Sequence, residues 1–324
     1  LTGEYIRLSA ERYGGMINDS WLDRPLSVAG RVLVRREGGL EARLVDLKRD
    51  VALIPRVAIH LNRETNNGVK YDPARDLVAL YAAGTGSGSF YREVARTADC
   101  APEDVAAGDL VLYNNQPGTV WGAEGEFVSA PRLDDLACVF ACTEGFLTAQ
   151  ERDMVPVLCV FDNEEIGSET KQGAASVFLP ETLAAISEAL GLSAADHRAL
   201  LADSMMLSCD NGHARHPNHP ELADTNEAPV LNGGVVVKHS PRYATDGVSA
   251  AVFTELCRRA EVPVQHYANR PDQMGGSTLG NIADTKLPIP TVDIGMAQLA
   301  MHSCFETMGS RDVEAFVRAR SEEH

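Results

Sequence analysis

Val155-Pro156-Val157-Leu158-Cys159-Val160-Phe161 runs straight into Asp162-Asn163-Glu164-Glu165-Ile166-Gly167-Ser168. The first seven residues are almost unbroken apolar sequence. Such a run suits a short strand buried on both faces. Three acids then crowd into four positions. Carboxylates at the end of a buried strand are costly unless something binds them. In open α/β sheets ligands gather at the carboxyl ends of strands, and these acids fall there. Gly167 lets the chain turn.

Working outward, strand and helix alternate on both sides of this stretch. Leu133 to Gln150 reads as a helix, with Leu136, Val139, Phe140 and Phe146 at helical spacings. Thr182 to Leu190, Ala195 to Leu207 and Asp246 to Ala260 also read as helices. Gly233 to Lys238, Val262 to Tyr267 and Ile289 to Gly295 read as strands. Ser277 to Ala283 is a short helix, and Asp312 to Arg318 closes the chain. This pattern predicts an α/β domain over residues 129–324, its mainly parallel sheet covered by helices on both faces.

Residues 1–128 differ. Gly30 to Arg36 and Leu40 to Leu47 alternate, and Gly38-Gly39 between them predicts a hairpin. Val57 to Leu61 and Asp109 to Tyr113 are further strand candidates, and Leu77 to Tyr81 and a helix-like Pro102 to Ala106 lie between. Asn66-Asn67-Gly68 and Gly84 to Ser89 are loops. This half is expected to be a β-rich barrel or sandwich module.

The 324 residues hold 46 acids against 29 Lys plus Arg, a formal net charge of −17. That balance argues against nucleic acid or an anionic membrane as partner, since both select a basic face. No apolar run approaches the roughly 20 residues of a membrane span, and no signal peptide is visible. The seven cysteines are scattered and form no C-x-x-C pair. They read as free thiols in a reducing compartment, the cytoplasm by default.

Beside Glu164 and Glu165, three more positions fall at expected element ends. Asp134 lies where the long helix begins, Asp210 follows the apolar run ending at Cys209, and His302 lies beyond the strand at 289–295. Singly, each has a bland explanation. Asp134 suits a helix N-cap, Asp210-Asn211-Gly212 a tight turn, His302 a hydrogen-bonded core histidine, and Glu164-Glu165 a solvated loop. Together they match the needs of a hydrolytic centre with two divalent ions, which takes bridging carboxylates and imidazole. In extended backbone Glu164 and Glu165 point different ways, so one can ligate while the other takes a proton.

The chain also resembles the aspartyl aminopeptidase family, within the wider group of two-zinc exopeptidases. The resemblance runs nearly end to end. It rests on Tyr13-Gly14-Gly15, Trp21 to Leu26, Ala58 to Arg63 and Pro131 to Leu136. It continues through Asp162 to Ser168, His216-Pro217-Asn218, Arg242-Tyr243-Ala244 and Leu299 to Ser303. It implies that Asp134 bridges two zinc ions, with Mn2+ or Co2+ as possible substitutes. Glu165 and His302 would complete one metal site and Asp210 would serve the other. Glu164 would be the general base. His60 would reach the active site of a neighbouring subunit, although by itself it reads as an inward residue of a strand. Lys238 and Arg242 are candidates to pair with an acidic substrate side chain. The β-rich half would build a homo-oligomer, a dodecamer in this family.

One departure stands out. The family's second metal site also takes a histidine from a His-Thr-Asp type motif ahead of the β-rich domain, and this chain has none. The chain opens at Leu1 within strand-like sequence, as a piece of a longer protein would, with that part of the catalytic domain upstream or lost. The expectation is therefore a zinc aminopeptidase that removes N-terminal Asp or Glu, with residues 1–324 alone weakly active or inactive. The alternatives are a two-metal aminopeptidase of broader preference and a catalytically silent assembly subunit.

Other segments carry less. His213, His216 and His219 crowd into one loop, where Pro217 and Pro220 break any helical spacing; this reads as an active-site loop. Gly275 to Gly280 resembles a phosphate loop but lacks its Lys, so a turn into a helix is expected. There is no Gly-x-Ser-x-Gly elbow.

Overall fold

A computed structural model describes the chain apart from residues 1–3, 85, 87, 150–153, 274 and 322–324. Leu1, the expected helix end at Gln150, and Thr85 and Ser87 of the expected loop therefore lie outside the described residues. The chain divides into two units, residues 1–117 and 118–324.

The first unit holds strands β1 (Tyr5–Leu8), β2 (Pro25–Arg36), β3 (Gly39–Asp46), β4 (Ala52–Leu53), β5 (Ala79–Ala83) and β6 (Val105–Asn114). They form one sheet in the order β1-β5-β4-β2-β3, with β6 on β2, and all the pairs are antiparallel. The expected hairpin is present, with Arg36 opposite Gly39. Gly39 takes φ +131°, which suits glycine. Alternate residues of β2, Val32 and Val34, are buried with Val45, Val94 and Ala98. Two helices, α1 (Pro73–Asp76) and α2 (Ser89–Thr97), complete the unit.

Val57 to Leu61 is not a strand. It is a turn in which the Ala58 carbonyl accepts from the Leu61 and Asn62 N–H groups at 2.8 and 3.2 Å. Val57, Ile59 and Leu61 are exposed. Alternation without a neighbouring strand to pair with does not make a ladder.

The second unit contains helices α3 (Leu133–Thr148), α4 (Phe178–Ala189), α5 (Ala194–Ala202), α6 (Gly247–Arg259), α7 (Leu279–Asp284) and α8 (Ser310–Ser321). Its strands are β7 (Thr119–Trp121), β8 (Phe127–Ala130), β9 (Met206–Cys209), β10 (Gly212–His213), β11 (Val235–His239), β12 (Val264–Ala268), β13 (Thr291–Gly295), β14 (Ala297–Leu299) and β15 (Glu306–Gly309). The division falls ahead of Val128 because β7 pairs with β8 and β8 with β15, far along the chain.

Helix and strand alternate as expected, but the sheets are mixed rather than mainly parallel. In the order β12-β11-β13-β9, β11 and β12 are parallel, as are β13 and β9, while β11 and β13 are antiparallel. A second sheet, β10-β14-β15-β8-β7, has one parallel pair, β10 with β14. Strand direction depends on pairings between distant segments, which local periodicity does not encode. Val235 and Val237 of β11, Val292 and Ile294 of β13, Phe253 of α6 and Phe316 of α8 share one buried core. The seven cysteines form no disulfide with one another. No helix among the described residues is long and apolar enough to cross a membrane.

The opening stretch departs most from expectation. Residues 155–161 form no strand, and Val155, Val157 and Val160 are exposed. No described strand pairs with them. An apolar run supplies the propensity for a strand, but the ladder needs a partner.

Candidate metal centre

Five carboxylates and one imidazole converge in the second unit. Asp134 lies at the start of α3, where the backbone leaves helical geometry at Asp134 and Asp135. Arg132 just before them has φ +59°. Asp134 is therefore not the N-cap that its position suggests. Glu164 and Glu165 lie on a single 3-10 turn, Glu164–Ile166, rather than on extended chain. At about three residues per turn their side chains still diverge. The turn is closed by the Gly167 N–H on the Glu164 carbonyl at 2.8 Å and flanked by Asn163 and Gly167, both at positive φ. Asp210 follows β9 directly. His302, at φ +64°, lies in the connection between β14 and β15.

Two ligand clusters form here. Asp134, Glu165 and His302 bring one donor atom each within 4.8 Å of the others, and so do Asp134, Asp135 and Asp210. Asp134 belongs to both. His302 Nε2 lies 3.6 Å from Asp134 Oδ2 and 3.5 Å from Glu165 Oε2. Asp134 Oδ1 is buried without a hydrogen-bond partner. A buried carboxylate oxygen left unpaired next to further acids fits a site that a cation completes. The donors, carboxylate oxygen and imidazole nitrogen, suit zinc.

The electrostatics agree with crowded negative charge. Burial, and then the Asp210, Glu165 and Asp134 carboxylates, push Glu164 up to about 7. Burial also raises Asp134, Asp135 and Glu165; His302 opposes the rise at Glu165. A bound cation would reverse these shifts.

Around the acids lies a shell that the sequence reading missed. The Asp135 Oδ1 accepts from the Asn211 N–H at 2.9 Å. The Asn211 amide donates to the Leu133 carbonyl and to Gln298 Oε1, and its oxygen accepts from Cys138 and the Met296 N–H. Glu306 accepts from the N–H groups of Asp134 and His302 at 3.0 and 2.7 Å. Burial pushes Glu306 up to about 7, against the pull of these two donors. Glu306 closely follows His302 in sequence, but only folding brings it to Asp134.

The remaining expected residues are distributed as follows. Lys238 is buried, with Nζ 3.1 Å from Asp210 Oδ2 and 5.3 Å from the Tyr243 ring centroid. Its ammonium is thus already engaged. Arg242 is exposed and donates to the Gly275 carbonyl at 3.4 Å. His60 lies in the exposed turn of the first unit. In the histidine loop, desolvation of the ring and then the Lys238 charge lower the His213 pKa, and His213, His216 and His219 all keep exposed surface. Thr278 caps α7, so the glycine-rich segment does lead into a helix.

With two clusters sharing one aspartate, the comparison with known proteins is direct. The family model for aminopeptidase I zinc metalloproteases, M18, matches residues 2–322. The chain belongs to this family. That agrees with the resemblance drawn from its motifs. This M18 chain is 42% identical over 318 residues to a probable M18 family aminopeptidase 2 of Clostridium acetobutylicum, covering 95% of this chain and 73% of the relative. A protein of the same description from Mycobacterium leprae is 41% identical over 317 residues, covering 96% and 74%. Among solved structures, the crystal structure of prApe1 superposes with a TM-score of 0.91 at 30% identity, covering 98% of this M18 chain and 73% of that one. The Ape4 chain complexed with Nbr1 gives 0.93 at 30% identity, with 98% and 66% covered. The S. cerevisiae mApe1 dodecamer gives 0.84 at 31% identity, with 98% and 73% covered.

Proposed function

We propose that this chain is the metal-binding part of a zinc aminopeptidase that hydrolyses the first peptide bond of acidic N-termini. The observation that carries this reading is the sharing of Asp134 by two ligand clusters. In this reading Asp134, common to both clusters, would help hold zinc in each. Glu165 and His302 complete one site, and Asp210 serves the other. When bound, zinc supplies a low-pKa water and polarises the scissile carbonyl.

The chain's own residues do the rest. Glu164, beside the candidate ligands on the 3-10 turn, is the general base that accepts the proton and returns it to the leaving amine. Lys238 holds the second oxygen of Asp210. Arg242, exposed and hydrogen-bonded to the Gly275 carbonyl, is assigned to an acidic substrate side chain. His60, on its exposed turn, is assigned to the active site of a neighbouring subunit, as a donor to the developing oxyanion. The dodecamer of S. cerevisiae mApe1 supports a homo-oligomer, with the first unit in the assembly contacts.

Turnover of Asp-, Glu- and Leu-anilides, with and without a chelator, tests the proposal. Weak, chelator-sensitive cleavage that favours Asp and Glu is expected. Cleavage that ignores the chelator would remove the metal mechanism, and a Leu preference would remove the acidic specificity.

A further inference from the structure

We propose that Glu306 is a positioning residue, a buried carboxylate that holds the ligands Asp134 and His302 in register through their main-chain N–H groups. This inference rests on the metal-centre reading above. Glu306 is the first residue of β15, opposite Ala130 of β8, and only 2% of its surface is exposed. Each carboxylate oxygen has its own task. Oε2 accepts from the Asp134 N–H at 3.0 Å, and Oε1 accepts from the His302 N–H at 2.7 Å.

The two amides belong to segments that need holding. His302 has φ +64°, and Arg132, two residues before Asp134, has φ +59°. Left-handed backbone away from glycine persists where the surroundings over-determine it. Neither segment is held there by a regular ladder, since Asp134 departs from helical geometry and His302 lies between strands. One carboxylate bonded to both fixes the separation of an Asp oxygen and a His nitrogen that must meet at one ion. Partners that bond the ligand side chains typically control affinity by about 10–100-fold, and the main-chain brace at Glu306 is taken on the same scale.

A matched control exists in the same unit. Asp312 is also buried, and its two oxygens accept from the Asn232 and Gly234 N–H groups at 2.7 and 2.9 Å. It touches none of the candidate ligands. It therefore shares the structural role of Glu306 without the proposed one.

The experiment compares the native chain, Glu306→Gln and Asp312→Asn by zinc competition against a chromophoric chelator and by amide hydrogen exchange. Gln keeps the shape but turns an NH2 toward one of the two donors. For Glu306→Gln the expected result is zinc affinity lower by about 10–100-fold and faster exchange at the Asp134 and His302 amides. Asp312→Asn should leave both unchanged. Native zinc affinity in Glu306→Gln, or an equal loss in Asp312→Asn, overturns the proposal. If the native chain takes up no zinc, the metal-centre reading fails by itself. The exchange rates at Asp134 and His302 then still decide whether Glu306 holds them, and unchanged protection would refute it. Should Glu306→Gln not fold, Glu306→Asp, which withdraws the same charge by one methylene, is put through the same comparison.

Discussion

Lys238 Nζ lies 3.1 Å from Asp210 Oδ2, with 1% of the lysine exposed. Burial alone would push the Lys238 pKa down, but Asp210 together with Tyr243, Asp293 and Asp135 outweighs it and keeps the pKa above the usual value. The pair places a permanent cation behind a candidate metal ligand. Its second acceptor, the Asn211 carbonyl at 3.3 Å, ties the same ammonium to the residue that holds Asp135.

Removing that cation should be severe. Lys238→Met leaves the Asp210 charge buried and unpaired, which typically costs about 3–5 kcal/mol. Urea unfolding of the metal-free chain measures it. A loss below about 1 kcal/mol, the size typical of exposed pairs, would mean that Asp210 is solvated in the absence of its partner.

Glu164→Gln should lower kcat by about 10²–10⁴-fold while zinc content stays unchanged, because the proton acceptor is lost and the ligands remain. Metal analysis beside steady-state kinetics separates the two. Loss of zinc together with activity would make Glu164 a ligand rather than a base.

Arg242→Met should raise KM for Asp- and Glu-anilides and leave Leu-anilide unaffected. A charge-assisted hydrogen bond contributes about 1.5–3 kcal/mol, so kcat/KM for acidic substrates should fall by roughly 10–100-fold. Equal losses on all three substrates would place Arg242 outside the specificity pocket.

Asp312 gives a pH signature. Burial raises its pKa to about 6, well above the ordinary carboxyl value, against the pull of the Gly234 and Asn232 N–H groups. A folded-state pKa above the unfolded one means that the folded chain binds this proton more tightly. Its contribution is full below about pH 4 and is lost as pH rises through 6. The native chain should therefore lose stability relative to Asp312→Asn between pH 4 and 7, by up to about 3 kcal/mol. Urea midpoints across that range check it, and a constant difference would show that Asp312 keeps an ordinary pKa in the fold.

Much of the fold is legible in local pattern. The β2–β3 hairpin follows from alternation around two glycines, and α6 and α8 follow from apolar spacing. The same reasoning misjudges 155–161 and Val57 to Leu61. Both have strand-like composition, and neither pairs with a strand among the described residues. It also misses that β11 and β13 run in opposite directions.

For the site, sequence alone determined which residue types could take part. Asp134, Glu164, Glu165, Asp210 and His302 stand out because acids and imidazole at the ends of apolar runs are chemically expensive without a purpose. The family resemblance already implied a shared Asp134; only the tertiary structure decided that Lys238 is committed to Asp210 and that Glu306 spans Asp134 and His302. Composition and periodicity are properties of neighbours along the chain. A shared ligand or a buried ion pair joins segments far apart in sequence, and their approach is set by the packing of β9, β11, β13 and β15.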